Sequence, residues 1–555
     1  MWRLGSVPLP GVRSRLLLVV PLLLAAACGG GGGKPMGPPP PVFDTIRTFR
    51  GKVGYFVTGP KITARDANGR LVPENGFVEP NLPRPAPRFV VEILSPGGAL
   101  LGTTTTDSNG NYTITINFGP NPATPVRVRT VARATISGGT DLRVLSSLAA
   151  TAPYEQISPP TTDPDLATTV IDVNVPLAGG AGAFHIVEVL FRGLSAIRGG
   201  VTGTLPDLDV IWAPGNGADS SFVVVSPQLA RLVVAGGIAG NDASNQDGWD
   251  DFKLMRLLGE YFLAYFSNSV APPGTPDDSP LVPSAAWREG FLDFWACAAQ
   301  GSPEYWDSEG IGAAGRVVRF FNAESFFNPI LGSLGPADPN VYQDPANVGI
   351  GSRFTTTEVL WDILDGGPGD VDTDDLTIPL FLMLADLQAL DPGASYPYLY
   401  SALDEYVANL SFTAVQAQIL LSSPEDHGID YPAGEDDGTL WPIPFLDPAR
   451  IDGTVTAGYD HTLLDTIDNT SGTSTEVGLL DQRYFQARLA GPATMVATVD
   501  TAGLRVEILD LANHLQGAGT GTAVAALPGG TFIVRVLPSA GPVSGPFGLR
   551  VQLSP

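Results

Sequence analysis

The feature that most constrains this chain is its hydrophobic period, which changes twice along the length. Residues 45–178 read as short strands. The run "FVVEILSPGGALLGTTTTDSNGNYTITINF" gives a strand, a glycine turn, a threonine-rich strand, the turn "DSNGN" and an alternating strand at Tyr112–Ile116. "VRVRTVARATI" at Val126–Ile136 alternates in the same way. Residues 179–425 switch to helical spacing, with apolar segments at Phe184–Ile197, Asp251–Phe266, Ser284–Ala299, Phe354–Leu364, Pro379–Leu390 and Tyr398–Leu410. After a linker at 426–450 the period returns to two, in "DQRYFQARLAGPATMVATVD", "LRVEILD", "GGTFIVRVLP" and "GPFGLRVQL" within 451–555. The pattern predicts a multidomain α+β chain: an N-terminal β-sandwich, a mainly helical core and a C-terminal β-sandwich. Its length of 555 residues suits several such units, and 65 Gly with 51 Pro supply the turns.

Charge narrows the partners. The formal net charge is −26 although only 16% of residues are charged, because 31 Lys and Arg face 57 Asp and Glu. Such a surface repels nucleic acid and anionic lipid, and leaves cations as electrostatic partners.

The N-terminus carries Arg3, Arg13 and Arg15 ahead of the apolar run Leu16–Leu24, then "LAAAC" ending at Cys28. This is an export signal, too short to span a bilayer. Small residues before a cysteine resemble the lipobox of bacterial lipoproteins, with Leu24 one place further upstream than the usual pattern. The resemblance implies cleavage before Cys28, lipidation of Cys28 and anchoring in the cell envelope, at the outer membrane. A plain secretory signal is the alternative. On the lipoprotein reading residues 1–28 are the signal with its cysteine, and residues 29–44, "GGGGGKPMGPPPP" among them, are a flexible-to-stiff tether. Cys297 then has no disulfide partner and reads as a small buried hydrophobe.

The chemistry should lie in "DDFKLMRLLGEYFLAYF" (250–266) and "SAAWREGFLDFW" (284–295). A zinc-peptidase helix needs two His at i and i+4 to put both ligands on one face, a Glu between them as base and a third ligand from a later helix. The two segments resemble secreted bacterial gluzincins, with the pattern D-D-x-x-x-x-H-E-[FY]-G-H-[FY] followed by W-x-E-G-[WF]-x-x-F-[FW]. Asp250 and Asp251 set the register. Arg256 then stands at the first His, Leu257 at the base, Gly259 at the glycine and Glu260 at the second His. The later element is kept: Trp287, Glu289, Gly290, Phe291, Phe294 and Trp295, with Glu289 in the third-ligand place. A second register makes Glu260 the base, but puts Gly259 and Leu263 where the histidines belong. The four histidines are His185, His427, His461 and His514, so 186–426 contains none. The resemblance therefore implies the fold with zinc lost and no catalytic residue retained.

Lys253, Arg256 and Glu260 form one polar stripe at i, i+3 and i+7. Either the Arg256 guanidinium fills the former metal position, paired with Glu260 and Glu289, or the stripe faces solvent with Arg256 and Glu260 as a weak i,i+4 pair. In "GDVDTDD", Asp370, Asp372 and Asp374 alternate as calcium ligands can, but lack the glycine at the sixth place and a later Glu, so a solvated acidic loop is the stronger reading. No G-x-S-x-G, P-loop or helix-opening G-x-G-x-x-G is present. A glycosidase pair of carboxylates stays open, since separations are not legible in sequence.

The flanking units carry resemblances of their own. Thr106, Asp107, Gly110 and Tyr112 form the "T-D-x-x-G-x-Y" signature that resembles the carboxypeptidase-regulatory-like β-sandwich family. Gly110 is fourth in its run, so a hairpin turn is expected there and not a calcium loop. Asp481–Phe485, Gly530–Val536 and Phe547–Val551 resemble the strands of the bacterial pre-peptidase C-terminal domain, with Phe532 and Phe547 for the usual tyrosines. The chain thus reads as an exported lipoprotein with a degenerate peptidase-like core, binding a peptide or protein or serving structurally. A metal-dependent hydrolase with non-standard ligands and a purely structural surface protein are the alternatives.

Overall fold

The computed structural model describes residues 44–65, 71–78, 82–120, 124–161, 167–217, 219–237, 245–267, 281–308, 318–323, 351–366, 377–389, 454–468, 483–511, 513–539 and 543–555, with a few positions in 399–410. Cys28, Asp370, Asp372 and Asp374 lie outside the described residues, as does most of the helix expected at Tyr398–Leu410. The described residues form a mixed α/β protein with several sheets and five long helices.

In the N-terminal region Ile46–Tyr55 is central: it pairs antiparallel with Asn111–Asn117 and parallel with Thr168–Val170 and Val173–Val175. A second sheet runs Glu155–Ile157, Arg127–Val131, Val90–Leu94, Leu100–Thr105. The turn signature has a direct physical account. The Asp107 carboxylate accepts from the backbone N–H of Asn109 and Asn111, both at 2.8 Å, and Gly110 sits at φ 77° against the Val53 carbonyl. Buried Thr106 ties Phe89 to Ala86, accepting from the Phe89 N–H at 2.9 Å and donating to the Ala86 carbonyl at 2.6 Å. The Tyr112 hydroxyl donates to the Ile171 carbonyl at 2.7 Å.

The middle region is not helices alone, as the period suggested. A five-stranded mixed sheet runs Ser221–Ser226, Leu229–Val233, Asp207–Ile211, Asp141–Leu145, Arg133–Thr135. Asp141–Leu145 pairs parallel with Asp207–Ile211, so residues on both sides of position 178 share one sheet. Parallel pairing needs a crossover, and helix α1 (Ala181–Gly200) supplies it, burying Phe184, Val187, Leu190 and Leu194 against the sheet region. Helices α2 (Asp251–Tyr265), α3 (Pro283–Gln300), α4 (Arg353–Asp365) and α5 (Leu380–Ala389) follow, with a hairpin of Glu304–Ser308 and Val318–Asn322. Pro283 opens α3 at its first turn and Gly301 closes it. The Ser352 hydroxyl caps α4 by accepting from the Thr355 N–H. One continuous apolar core joins the N-terminal sheets to α1–α5.

Residues 454–555 form two sheets over a second core that includes Met495, Val506, Val534 and Leu549. They meet the middle region at Tyr484, whose hydroxyl lies 3.4 Å from the Leu281 carbonyl, and at Asn513, which accepts from the Val282 N–H at 3.0 Å. Among the described residues no helix is long and apolar enough to cross a membrane.

Candidate functional site

Helix α2 lies close against α3 because it presents Gly259 where α3 is bulky. A Cβ on Gly259 would sit 2.7 Å from Leu292 and 3.0 Å from Trp295. A Cβ on Gly290 would sit 2.4 Å from the Arg353 carbonyl, so Gly290 lets α3 approach α4. Both motif glycines are therefore close-packing residues. Phe262 and Phe291 complete the α2–α3 seam with ring centroids 5.6 Å apart.

This packing brings Arg256 beside Glu289 and links Glu260 to Glu289 through Arg288. These side chains form an ion network. The Arg256 guanidinium donates to the Glu289 carboxylate, to the Asp293 carboxylate and, at 3.1 Å, to the Glu289 carbonyl. Glu260 pairs with Arg288, and not with Arg256 as the substitute-cation reading had it. Arg288 also reaches the other Glu289 oxygen at 3.1 Å. Arg353 lies 3.5 Å from the second Asp293 oxygen. Glu260, Glu289 and Asp293 thus face Arg256, Arg288 and Arg353. Burial opposes the Arg256 charge, but Asp293 and then Glu289 hold its pKa above the usual guanidinium value. Burial raises the Glu260 pKa, and Arg288 and Arg256 only partly offset this. The polar stripe on α2 faces α3 and the Glu304–Ser308 strand; the solvent-facing reading does not hold. Lys253 pairs with Asp307 at 3.0 Å.

The zinc that the resembling family holds does not fit these residues. Arg256 cannot ligate, Leu257 is core, and the carboxylates of Glu260 and Glu289 are both engaged by guanidinium groups. Nor do the described histidines converge here. His185, buried on α1, sits 2.9 Å from Asp251; His514 lies beside Asp510; His461 is on strand Asp460–Asp468. The Asp251 carboxyl is lowered below its ordinary range: burial pushes it up, but His185 and Arg192 outweigh that.

Sequence reasoning missed a second group. Asp247, Asp250 and Asp307 are buried and converge, with carboxylate oxygens all within 4.8 Å of one another. Asp247 sits in the 3₁₀ turn Asp247–Trp249 before α2, Asp250 is the residue preceding α2 and Asp307 lies on the Glu304–Ser308 strand. The only legible part was the D-x-x-D spacing in 247–250; Asp307 comes from 57 residues further on, which no local pattern announces.

No protein-family profile and no curated protein sequence matches the chain. Among solved structures, the periplasmic g-type lysozyme inhibitor PliG of Aeromonas hydrophila aligns with 18% of this chain and 96% of its own, at 14% identity and TM-score 0.15. PliG of Salmonella Typhimurium aligns with 18% and 98%, at 9% identity and TM-score 0.13. A cycloisomaltooligosaccharide glucanotransferase of Paenibacillus sp. aligns with 91% of this chain and 72% of its own, at 10% identity and TM-score 0.12. Likenesses at these TM-scores carry no argument about this chain.

Proposed function

We propose that this chain is an exported, lipid-anchored envelope protein whose middle unit is a zinc-peptidase-like core that binds and does not hydrolyse. The observation that carries the reading is the Arg256 guanidinium held by Glu289 and Asp293 between α2 and α3, where a peptidase of the resembling class would hold its metal. An internal cation there neutralises the carboxylates that an ion would otherwise bridge. The two-sheet regions at either end are read as the regulatory-like and pre-peptidase-like β-sandwiches of the sequence resemblance, and the anchor as Cys28.

An extended peptide is the favoured ligand class. Among the described residues strand Ser221–Ser226 is an edge of the mixed sheet, paired with Leu229–Val233 with a register shift between Val224 and Ser226, and it exposes Val223, Val224 and Val225. An exposed apolar edge accepts an added strand through main-chain hydrogen bonds. The test is to pass a tryptic digest of casein over the immobilised mature chain and read the eluate by mass spectrometry. Retained, uncut peptides are expected, with retention lost in Val223→Lys, since an edge lysine opposes strand addition. Cleaved peptides would establish a hydrolase, and absence of retention would favour the purely structural protein.

A further inference from the structure

We propose that Asp247, Asp250 and Asp307 form a binding site for one divalent hard cation of the calcium class, separate from the Arg256 network. Two independent observations carry it. The first is charge. Among the described residues Lys253 is the one cation that pairs with the three carboxylates, through Asp307, so the acids outnumber it by two in a buried site. In the neighbouring network, by contrast, each of Glu260, Glu289 and Asp293 has a guanidinium beside it. The second is the state of one oxygen on each carboxylate. Asp247 Oδ1, Asp250 Oδ1 and Asp307 Oδ1 are buried and, among the described residues, accept no hydrogen bond, so one oxygen of every member is left for an occupant. The other oxygen of each is already held. Asp247 accepts from the Ser220 hydroxyl, with the Asn245 side chain also beside it, Asp250 accepts from the Ser308 N–H at 2.6 Å and the Ser308 hydroxyl at 2.5 Å, and Asp307 accepts from Lys253 at 3.0 Å. A carboxylate held by one oxygen is fixed in orientation, as metal ligands are by their surroundings.

The donors choose the ion. All three are carboxylate oxygens, with neither nitrogen nor sulfur, which suits a hard cation and not zinc. Two ligands on opposite sides of Ca²⁺ stand about 4.8 Å apart at roughly 2.4 Å per bond, against about 4.2 Å for Mg²⁺. The oxygens offered by the three acids all lie within 4.8 Å of one another, a bound that admits Ca²⁺ and leaves the choice against Mg²⁺ to the displacement experiment. Burial raises Asp247 to about 7 and Asp250 well above its ordinary value, so these two acids favour a proton where no cation is held. Proton and cation are thus competing occupants.

The experiment uses the full mature chain, stripped with chelator and titrated with Tb³⁺ under excitation of tryptophan. Trp249, in the same turn as Asp247, lies near enough to sensitise the emission. The expected result is sensitised emission displaced by Ca²⁺ at about 1 mM or below, the range of extracellular calcium modules, and displaced poorly by Mg²⁺. Asp250→Asn, isosteric with the protonated acid, should weaken Ca²⁺ at least about tenfold. Preferential displacement by Mg²⁺ would overturn the ion assignment. Emission unchanged in Asp250→Asn would place binding elsewhere and overturn the site. Absence of emission and of any calcium-dependent melting shift in the wild-type chain would overturn the proposal; this readout does not depend on the variant folding.

Discussion

Replacing Arg256 by methionine removes the cation that two buried carboxylates share. Methionine keeps the length and apolar stem, so packing along α2 is largely preserved and the change is electrostatic. Breaking a buried pair from one side costs about 3–5 kcal/mol, because the orphaned charge stays behind. Glu289 retains Arg288 at 3.1 Å and Asp293 retains Arg353 at 3.5 Å, so the lower half of that range applies. A loss of about 3 kcal/mol lowers the melting temperature by about 6–12 °C for a unit of this size. Thermal unfolding by circular dichroism reads it. Arg256→Lys should fall between, since an ammonium keeps the charge but cannot fork to both carboxylates. Adding Asp293→Asn to Arg256→Met should recover much of the loss, as removing both partners of a buried pair is far less costly than removing one. A shift within about 1 °C for Arg256→Met would refute the reasoning, because it would mean the network is solvated like an ordinary surface pair.

Gly290→Ala should destabilise by about 1–3 kcal/mol, read in the same melts, since its Cβ meets the Arg353 backbone carbonyl and cannot push it aside. Glu260 supplies a pH test. Its folded pKa is raised, so its contribution is fully present below the unfolded value of about 4.3 and is lost as pH rises through the folded value. Glu260→Gln mimics the protonated acid, so the melting profiles of wild type and variant should lie closest near pH 4 and separate as pH rises, wild type falling below the variant; a gap that widens in favour of wild type would contradict the reasoning on burial. The double variant Arg256→His, Glu260→His restores two nitrogen ligands beside Glu289 and should bind one zinc per chain, measured by mass spectrometry. Its failure to bind would mean that positions 256, 260 and 289 do not converge as a ligand set.

Much of the architecture was legible where local periodicity sets it. The helical period over 251–266 and 284–299 yields α2 and α3, and the strand at Tyr112–Ile116 lies within Asn111–Asn117. The W-x-E-G-F element located Glu289, and the register on Asp250 and Asp251 placed Arg256 beside it. What the sequence withheld depends on distant pairing. The mixed sheet joins Asp141–Leu145 to Asp207–Ile211 across a whole helix, and parallel strands leave no hairpin signal. The partner of Glu260 is Arg288, next to the expected one in the motif, because helix facing is set by α3 and not by α2 alone. The Asp247, Asp250 and Asp307 cluster, and the approach of His185 to Asp251, arise from elements far apart in the chain.

The central claim is that an internal arginine has taken the place of a metal between α2 and α3. Metal content of the purified mature chain, measured by mass spectrometry after dialysis and again after incubation with zinc, tests it most directly. The account predicts no stoichiometric zinc in either sample, and no change on Glu289→Gln. Near-stoichiometric zinc that is lost in Glu289→Gln would contradict it.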